Sequence, residues 1–191
     1  MQLVKAALLM LFLMSPWALQ GQAIANSEGV TRMEAGVNFN YVHANAPPGQ
    51  CGCFSLYGGS GTFVMNLTRI WSGVADITMA HASNVNNTGQ NITIINYLFG
   101  PRYTRRTYSR YVPYGQILVG GAKENVNFQF TINRQSFAVL GGGGVTTRLK
   151  RKWGLNLVEV DYVYTRIPNA VNNTQNNMRI STGVTYHFGN D

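Results

Sequence analysis

The chain has 191 residues, is 45% hydrophobic and only 12% charged, and carries 21 glycines and a formal net charge of +8. That length suits one domain with a core of its own, while the charge is about half the usual share and glycine exceeds the usual roughly 7%. Disorder needs low hydrophobicity with high net charge, and a coiled coil needs abundant Glu and Lys, so both are excluded.

The first element is a leader. Lys5 precedes an apolar run from Ala6 to Met14, Pro16 breaks it, and small residues follow. This is the pattern of a secretory signal peptide over residues 1–25, with cleavage expected after Ala23 or Ala25. The run is too short to span a bilayer as a helix. The remaining domain, 26–191, contains no apolar run long enough to do so either. It is therefore expected to be a soluble exported protein or a transmembrane β-barrel.

From there the helical period fails and the period of two succeeds, segment after segment. Glu34–Ala44 sets Val37, Phe39 and Tyr41 against Glu34, Asn38 and Asn40. Thr62–Leu67 sets Phe63 and Met65 against Thr62 and Asn66. Trp71–Ala80 sets Trp71, Ile77 and Met79 against Ser72, Asp76 and Thr78. Ile92–Thr104 sets Tyr97, Phe99 and Tyr103 against Asn96 and Arg102. Tyr111–Lys123 alternates less cleanly, with Ile117 and Val119 against Gln116. Ser136–Arg148 is blurred by Gly141–Gly144. Trp153–Thr165 sets Val158, Val160 and Tyr162 against Glu159 and Asp161. Met178–Phe188 alternates throughout, with Arg179, Ser181 and His187 on the polar side. Eight strands, most of a length to cross a bilayer at a tilt, predict an all-β fold: an eight-stranded antiparallel up-and-down transmembrane barrel.

Connections are expected to alternate between short turns (Thr68–Ile70, Arg105–Arg110, Leu149–Lys152) and longer outer loops (Asn45–Cys51, His81–Asn91, Glu124–Gln135, Arg166–Asn177). The apolar face, rich in aromatics toward strand ends, is assigned to lipid. The polar face is assigned to the interior, because Asp, Glu and Arg facing lipid would cost several kcal/mol each. A soluble lipocalin-like binder has the opposite polarity, and its exposed face would be rich in Lys and Glu rather than Asn, Ser, Thr and Gly.

The mature chain resembles the OmpA-like eight-stranded outer-membrane β-barrel family, a porin-like group. The resemblance is carried by Cys53–Leu56 with Gly58–Ser60, Tyr97–Arg102, Ala138–Gly144, Asp161–Arg166 and Asn176–Val184. It implies a bacterial outer-membrane location, and partners in outer-membrane lipids and the barrel assembly machinery. The peptidoglycan-binding domain of full-length OmpA is expected to be absent. Tyr186 and Phe188 look like the terminal assembly signal, here followed by Gly189-Asn190-Asp191.

Candidate chemistry is sparse. Glu34, Asp76, Arg102, Glu159, Asp161 and Arg179 are the expected interior ion-pair set. An eight-stranded lumen is just wide enough for side chains to fill, so static pairs that satisfy buried charge are favoured over a gated ion path. Cys51 and Cys53 are read as a small structural disulfide of an oxidising compartment, with a redox or metal pair as the alternative. His81 with Ser83 and Asp76 is an imaginable hydrolytic group, unsupported by a nucleophile motif. Gly141–Gly144 lacks the Lys-Ser/Thr of a phosphate loop and fits a tightly curved strand. Arg105, Arg106, Arg110, Arg148, Lys150, Arg151 and Lys152 cluster on turns. In an exported chain without a binding motif they are read as facing anionic head groups rather than nucleic acid. The expectation is a non-catalytic outer-membrane protein without cofactor or metal, with a narrow solute or ion channel as the alternative and an outer-membrane enzyme behind it.

Overall fold

The computed structural model describes residues 30–45, 53–85, 87, 89–106, 110–127, 131–150, 152–167 and 174–188. The leader, its cleavage sites and Cys51 lie outside the described residues. Eight strands follow in chain order: β1 Met33–Ala44, β2 Phe54–Asn66, β3 Trp71–Val85, β4 Gln90–Thr104, β5 Tyr111–Asn127, β6 Thr131–Arg148, β7 Trp153–Thr165 and β8 Gln175–Phe188. Each pairs antiparallel with its neighbour in sequence, and β8 returns to β1 through pairs such as Val37 with Val184, so the sheet closes into a barrel. Closure pairs every strand on both sides and removes the sheet edge that a bilayer could not solvate.

Several strands run further than the alternation alone indicates. β2 begins at Phe54 rather than Thr62. β3 and β4 stay paired up to Val85 and Gln90, and β5 and β6 up to Asn127 and Thr131. The connections expected at His81–Asn91 and Glu124–Gln135 are therefore largely strand. The β3–β4 hairpin turns on Asn84, Asn87 and Gly89, all at positive φ, a conformation open to Asn and Gly at low cost. Asn84 holds that turn with its amide oxygen on the Gly89 N–H at 2.9 Å.

The outward face is apolar. Val37, Ile77, Phe99 and Ile117 are each more than 60% exposed, which excludes the soluble binder because water would face this surface unfavourably. Aromatic pairs ring the turn end of the barrel. Trp71 packs on Tyr103 at 5.4 Å between centroids, and Trp153, Tyr186 and Phe188 form a run at 5.1 and 4.9 Å. Toward the other end Tyr41 packs on Tyr57. Such belts sit at the lipid–water boundary.

The interior differs from the expected wholly polar filling. Leu56, Ile92 and Ile94 point inward at the outer end with Val42, Ala44, Ala80, Ala82 and Val85. A second apolar cluster draws Val64, Val74, Leu98, Leu118, Leu140 and Val163 from β2 to β7. The reason is steric. The lumen must be filled, and away from the ionic layer apolar side chains fill it without leaving a polar group unpaired.

Candidate functional site

One layer of the lumen is ionic, and its centre is Arg179 on β8, the largest fully buried side chain among the described residues. Its Nη1 donates to Asp76 Oδ1 at 2.9 Å and to Thr78 Oγ1 at 2.6 Å, both from β3. Its Nη2 donates to Glu159 Oε1 at 2.8 Å, and its Nε to Asp161 Oδ2 at 2.9 Å, both from β7. Three carboxylates thus converge on one guanidinium, each within 1–2% of full burial. The planar fork of Arg suits this, since its donors diverge in fixed directions.

The other strands complete the layer. Gln116 on β5 donates to Glu159 Oε1 at 3.1 Å, and the Tyr114 hydroxyl donates to Glu159 Oε2. Asn156 on β7 donates to Glu159 Oε2 at 3.1 Å and to Asn38 Oδ1 on β1 at 3.3 Å. Asn38 in turn reaches Ser60 on β2 at 3.4 Å. Asn156 and Glu159 face the same way only because β7 carries a bulge there. The register with β8 jumps from Asn156–Gly183 to Glu159–Ser181, and Leu157 and Val158 both turn outward. β6 contributes space instead of a side chain. A Cβ on Gly142 would lie 2.2 Å from Asp161 Oδ1, and one on Gly144 would lie 2.4 Å from the Val158 carbonyl. The glycine run is thus the hollow into which the β7 carboxylates fit.

Of the six expected ion-pair residues, the structure brings four together: Asp76, Glu159, Asp161 and Arg179. Arg102 joins them indirectly. Its Nε and Nη2 both donate to Gln116 Oε1, at 3.0 and 2.7 Å, and its guanidinium lies 4.1 Å from the Tyr114 ring centroid. It is a cation–π and amide partner rather than the expected direct carboxylate partner.

Glu34 belongs to a separate cluster at the turn end. Asn66 donates to Glu34 Oε1 at 2.7 Å, and Arg106 and His187 approach the same oxygen at 3.7 and 3.8 Å. Arg106 also donates to Asn66 Oδ1 at 2.8 Å and to the Arg69 carbonyl at 2.7 Å. Burial lowers the pKa of Arg106, with Glu34 opposing that shift. Between the two clusters lies a cavity of about 70 Å³, bounded by Glu34, Arg106 and His187 at one end and by Arg102 and Tyr114 at the other.

The remaining candidates do not converge. Asp76 points into the lumen, whereas His81 is exposed and bonded to Thr93 Oγ1 at 2.9 Å and Ser83 Oγ at 3.1 Å. Among the described residues no carboxylate orients that imidazole, and Asp76 does not join His81 and Ser83. Cys53 is exposed at the start of β2; its expected bridge to Cys51 falls outside the described residues. Tyr186 and Phe188 lie in the aromatic run at the turn end. Tyr114, Asn156 and Glu124 were not anticipated. Parity with Gln116 could have found Tyr114. The bulge hid Asn156. Glu124, buried near Arg134 at 3.8 Å, stands on β5 where the alternation indicates a loop.

The model of a family described as the outer membrane protein beta-barrel domain matches residues 5–188. The chain belongs to that family. Among curated proteins none matches its sequence. Among solved structures, it is similar to Neisserial surface protein A (TM-score 0.69, 16% identity, covering 84% of this chain and 100% of that one). It is also similar to Ail, the attachment invasion locus protein of Yersinia pestis (0.54, 12%, 81% and 98%), and to OprG from Pseudomonas aeruginosa (0.51, 12%, 84% and 97%). At these identities the likeness shows the fold. With the family match it makes this an eight-stranded barrel of a bacterial outer membrane. The turn end, where β1 starts and β8 ends, is accordingly the periplasmic end.

Proposed function

We propose that this protein is a non-catalytic, closed barrel that supports the outer membrane and presents its outer loops at the cell surface. The observation that carries this reading is the Arg179 layer. It spans the lumen from β3 to β7 and β8, and apolar side chains fill the lumen on the outer side. A filled lumen leaves the outer loops and the outer wall as the surfaces through which the barrel acts. Neisserial surface protein A and the attachment invasion locus protein, two of the similar structures, are named for the surface and for attachment. Delivery in this reading uses the leader, removed after Ala23 or Ala25, and recognition of Tyr186 and Phe188 by the barrel assembly machinery.

The test is conductance in planar bilayers. The wild type is expected to give no steps, while Arg179→Ala, by opening the layer above the 70 Å³ cavity, is expected to conduct. Regular steps from the wild type would overturn the closed-barrel reading in favour of the narrow channel.

A further inference from the structure

The outward wall carries a depression at the periplasmic end. It is a groove of about 460 Å³ whose lining is almost entirely apolar, with the Trp71 and Tyr103 pair at its lower edge, Ile117 at its upper edge, and Pro101, Gly115 and Gly141 as its floor. The floor is low for two reasons. Gly115 brings no side chain to it, and its Cβ would meet nothing closer than 3.7 Å. Gly141 has no atom within 4 Å of where its Cβ would be. Most of the glycines on this barrel face a neighbour that leaves no room for a side chain, whereas this one faces open space.

The turns that close the same end carry exposed Arg69, Arg105 and Arg110. The one carboxylate described at that end, Glu34, is turned inward to Asn66 and Arg106. We propose that the groove seats an acyl chain of an anionic phospholipid from the periplasmic leaflet, with its phosphate held over these arginines. An apolar cleft continuous with lipid takes a hydrocarbon chain, and exposed cations at its mouth favour an anionic head group. A second copy of the barrel fits less well, because it would set one cationic rim against another. The inference holds whether or not the lumen conducts.

The test uses the full, folded barrel in detergent, offered phosphatidylglycerol or phosphatidylcholine with identical chains, and native mass spectrometry of what is retained. At about 1 kcal/mol per cation near the surface, phosphatidylglycerol is expected to be retained at least tenfold over phosphatidylcholine. Replacing Arg69, Arg105 and Arg110 by Gln is expected to bring the two lipids to within about twofold. Gly141→Leu, which enters open space, is expected to abolish retention while leaving the heat-modifiable folded form. Should that variant fail to fold, Trp71 fluorescence in a Trp153→Phe background gives an independent reading. Brominated phosphatidylglycerol is expected to quench it more than brominated phosphatidylcholine. Equal retention or quenching of the two lipids, wild-type retention by folded Gly141→Leu, displacement of the lipid by millimolar inorganic phosphate, or a mass of two barrels in place of barrel plus lipid overturns the proposal.

Discussion

Replacing Arg179 by Met keeps the volume of the side chain and removes its charge. Asp76, Glu159 and Asp161 then face one another with no cation bonded to them, since Arg102 in the same layer bonds Gln116 and stacks on Tyr114. Removing one partner of a buried ion pair costs about 3–5 kcal/mol, because the other charge stays buried and uncompensated. Here three carboxylates lose the same partner, so the upper part of that range is expected. That corresponds to a fall of about a thousandfold in the folded-to-unfolded ratio, at about 1.4 kcal/mol per factor of ten. The measurement is urea unfolding in lipid vesicles, followed by tryptophan fluorescence and by the mobility of unboiled samples on SDS gels. The quadruple variant Arg179→Met, Asp76→Asn, Glu159→Gln, Asp161→Asn removes the whole charge set. It is expected to recover most of the loss, since replacing all members of a buried ionic group is often close to neutral. The reasoning fails if Arg179→Met unfolds within 1 kcal/mol of wild type, or if the quadruple variant is no more stable than the single one. Either result would mean that the layer is wetter than its burial indicates.

Three further outcomes follow from the same geometry. Gly142→Ala is expected to destabilise the barrel by about 1–3 kcal/mol through overpacking against Asp161 and the Val160 carbonyl, whereas Gly141→Ala, one residue away and facing open space, stays within about 0.5 kcal/mol; the same urea series compares them. Glu34→Gln removes pairs at 3.7 and 3.8 Å on partly exposed partners and is expected to cost no more than about 1 kcal/mol, a loss that added salt shrinks in the wild type and leaves unchanged in the variant. Phe188→Ala removes the last ring of the Trp153–Tyr186–Phe188 run at about 0.5–1.5 kcal/mol, and pulse-chase accumulation of the heat-modifiable form in cells is expected to slow by more than that stability change accounts for if the ring is also read during assembly.

The alternation of residues carried the fold and the face of nearly every side chain, and it could not carry height. A period of two states whether Glu34 or Asp161 points inward. How far along the barrel axis each lies depends on the register between strands. Glu34 pairs with Val64 and His187, at the periplasmic rim, while Asp161 pairs with Arg179 deep in the lumen. A flat list of inward charges therefore merged two clusters that the structure separates. The same limit hid Asn156. A bulge adds one residue to one strand, so both sides of it read as correct alternation while the step across it does not. Part of the apolar filling, Leu118 and Leu140, lies where β5 and β6 are apolar on both faces. There the alternation fades because neither face is polar, and the fading itself was the available sign that the lumen is not uniformly ionic.

The net charge of +8 takes its meaning from this separation by height. The inward charges nearly cancel, since Asp76, Glu159 and Asp161 stand against Arg179 and Arg102 within one connected layer. The lipid-facing wall contributes little, because a charge placed there would cost several kcal/mol. The excess therefore collects where water and head groups begin. Arg32, Arg69, Arg105, Arg110, Arg148, Lys150 and Lys152 are all exposed at the periplasmic end, while Glu34, the acidic residue described there, is drawn inward by Asn66, Arg106 and His187. Glu34, half-buried and turned inward, is the one carboxylate described at that rim. The turn end thus presents a cationic surface that attracts anionic head groups.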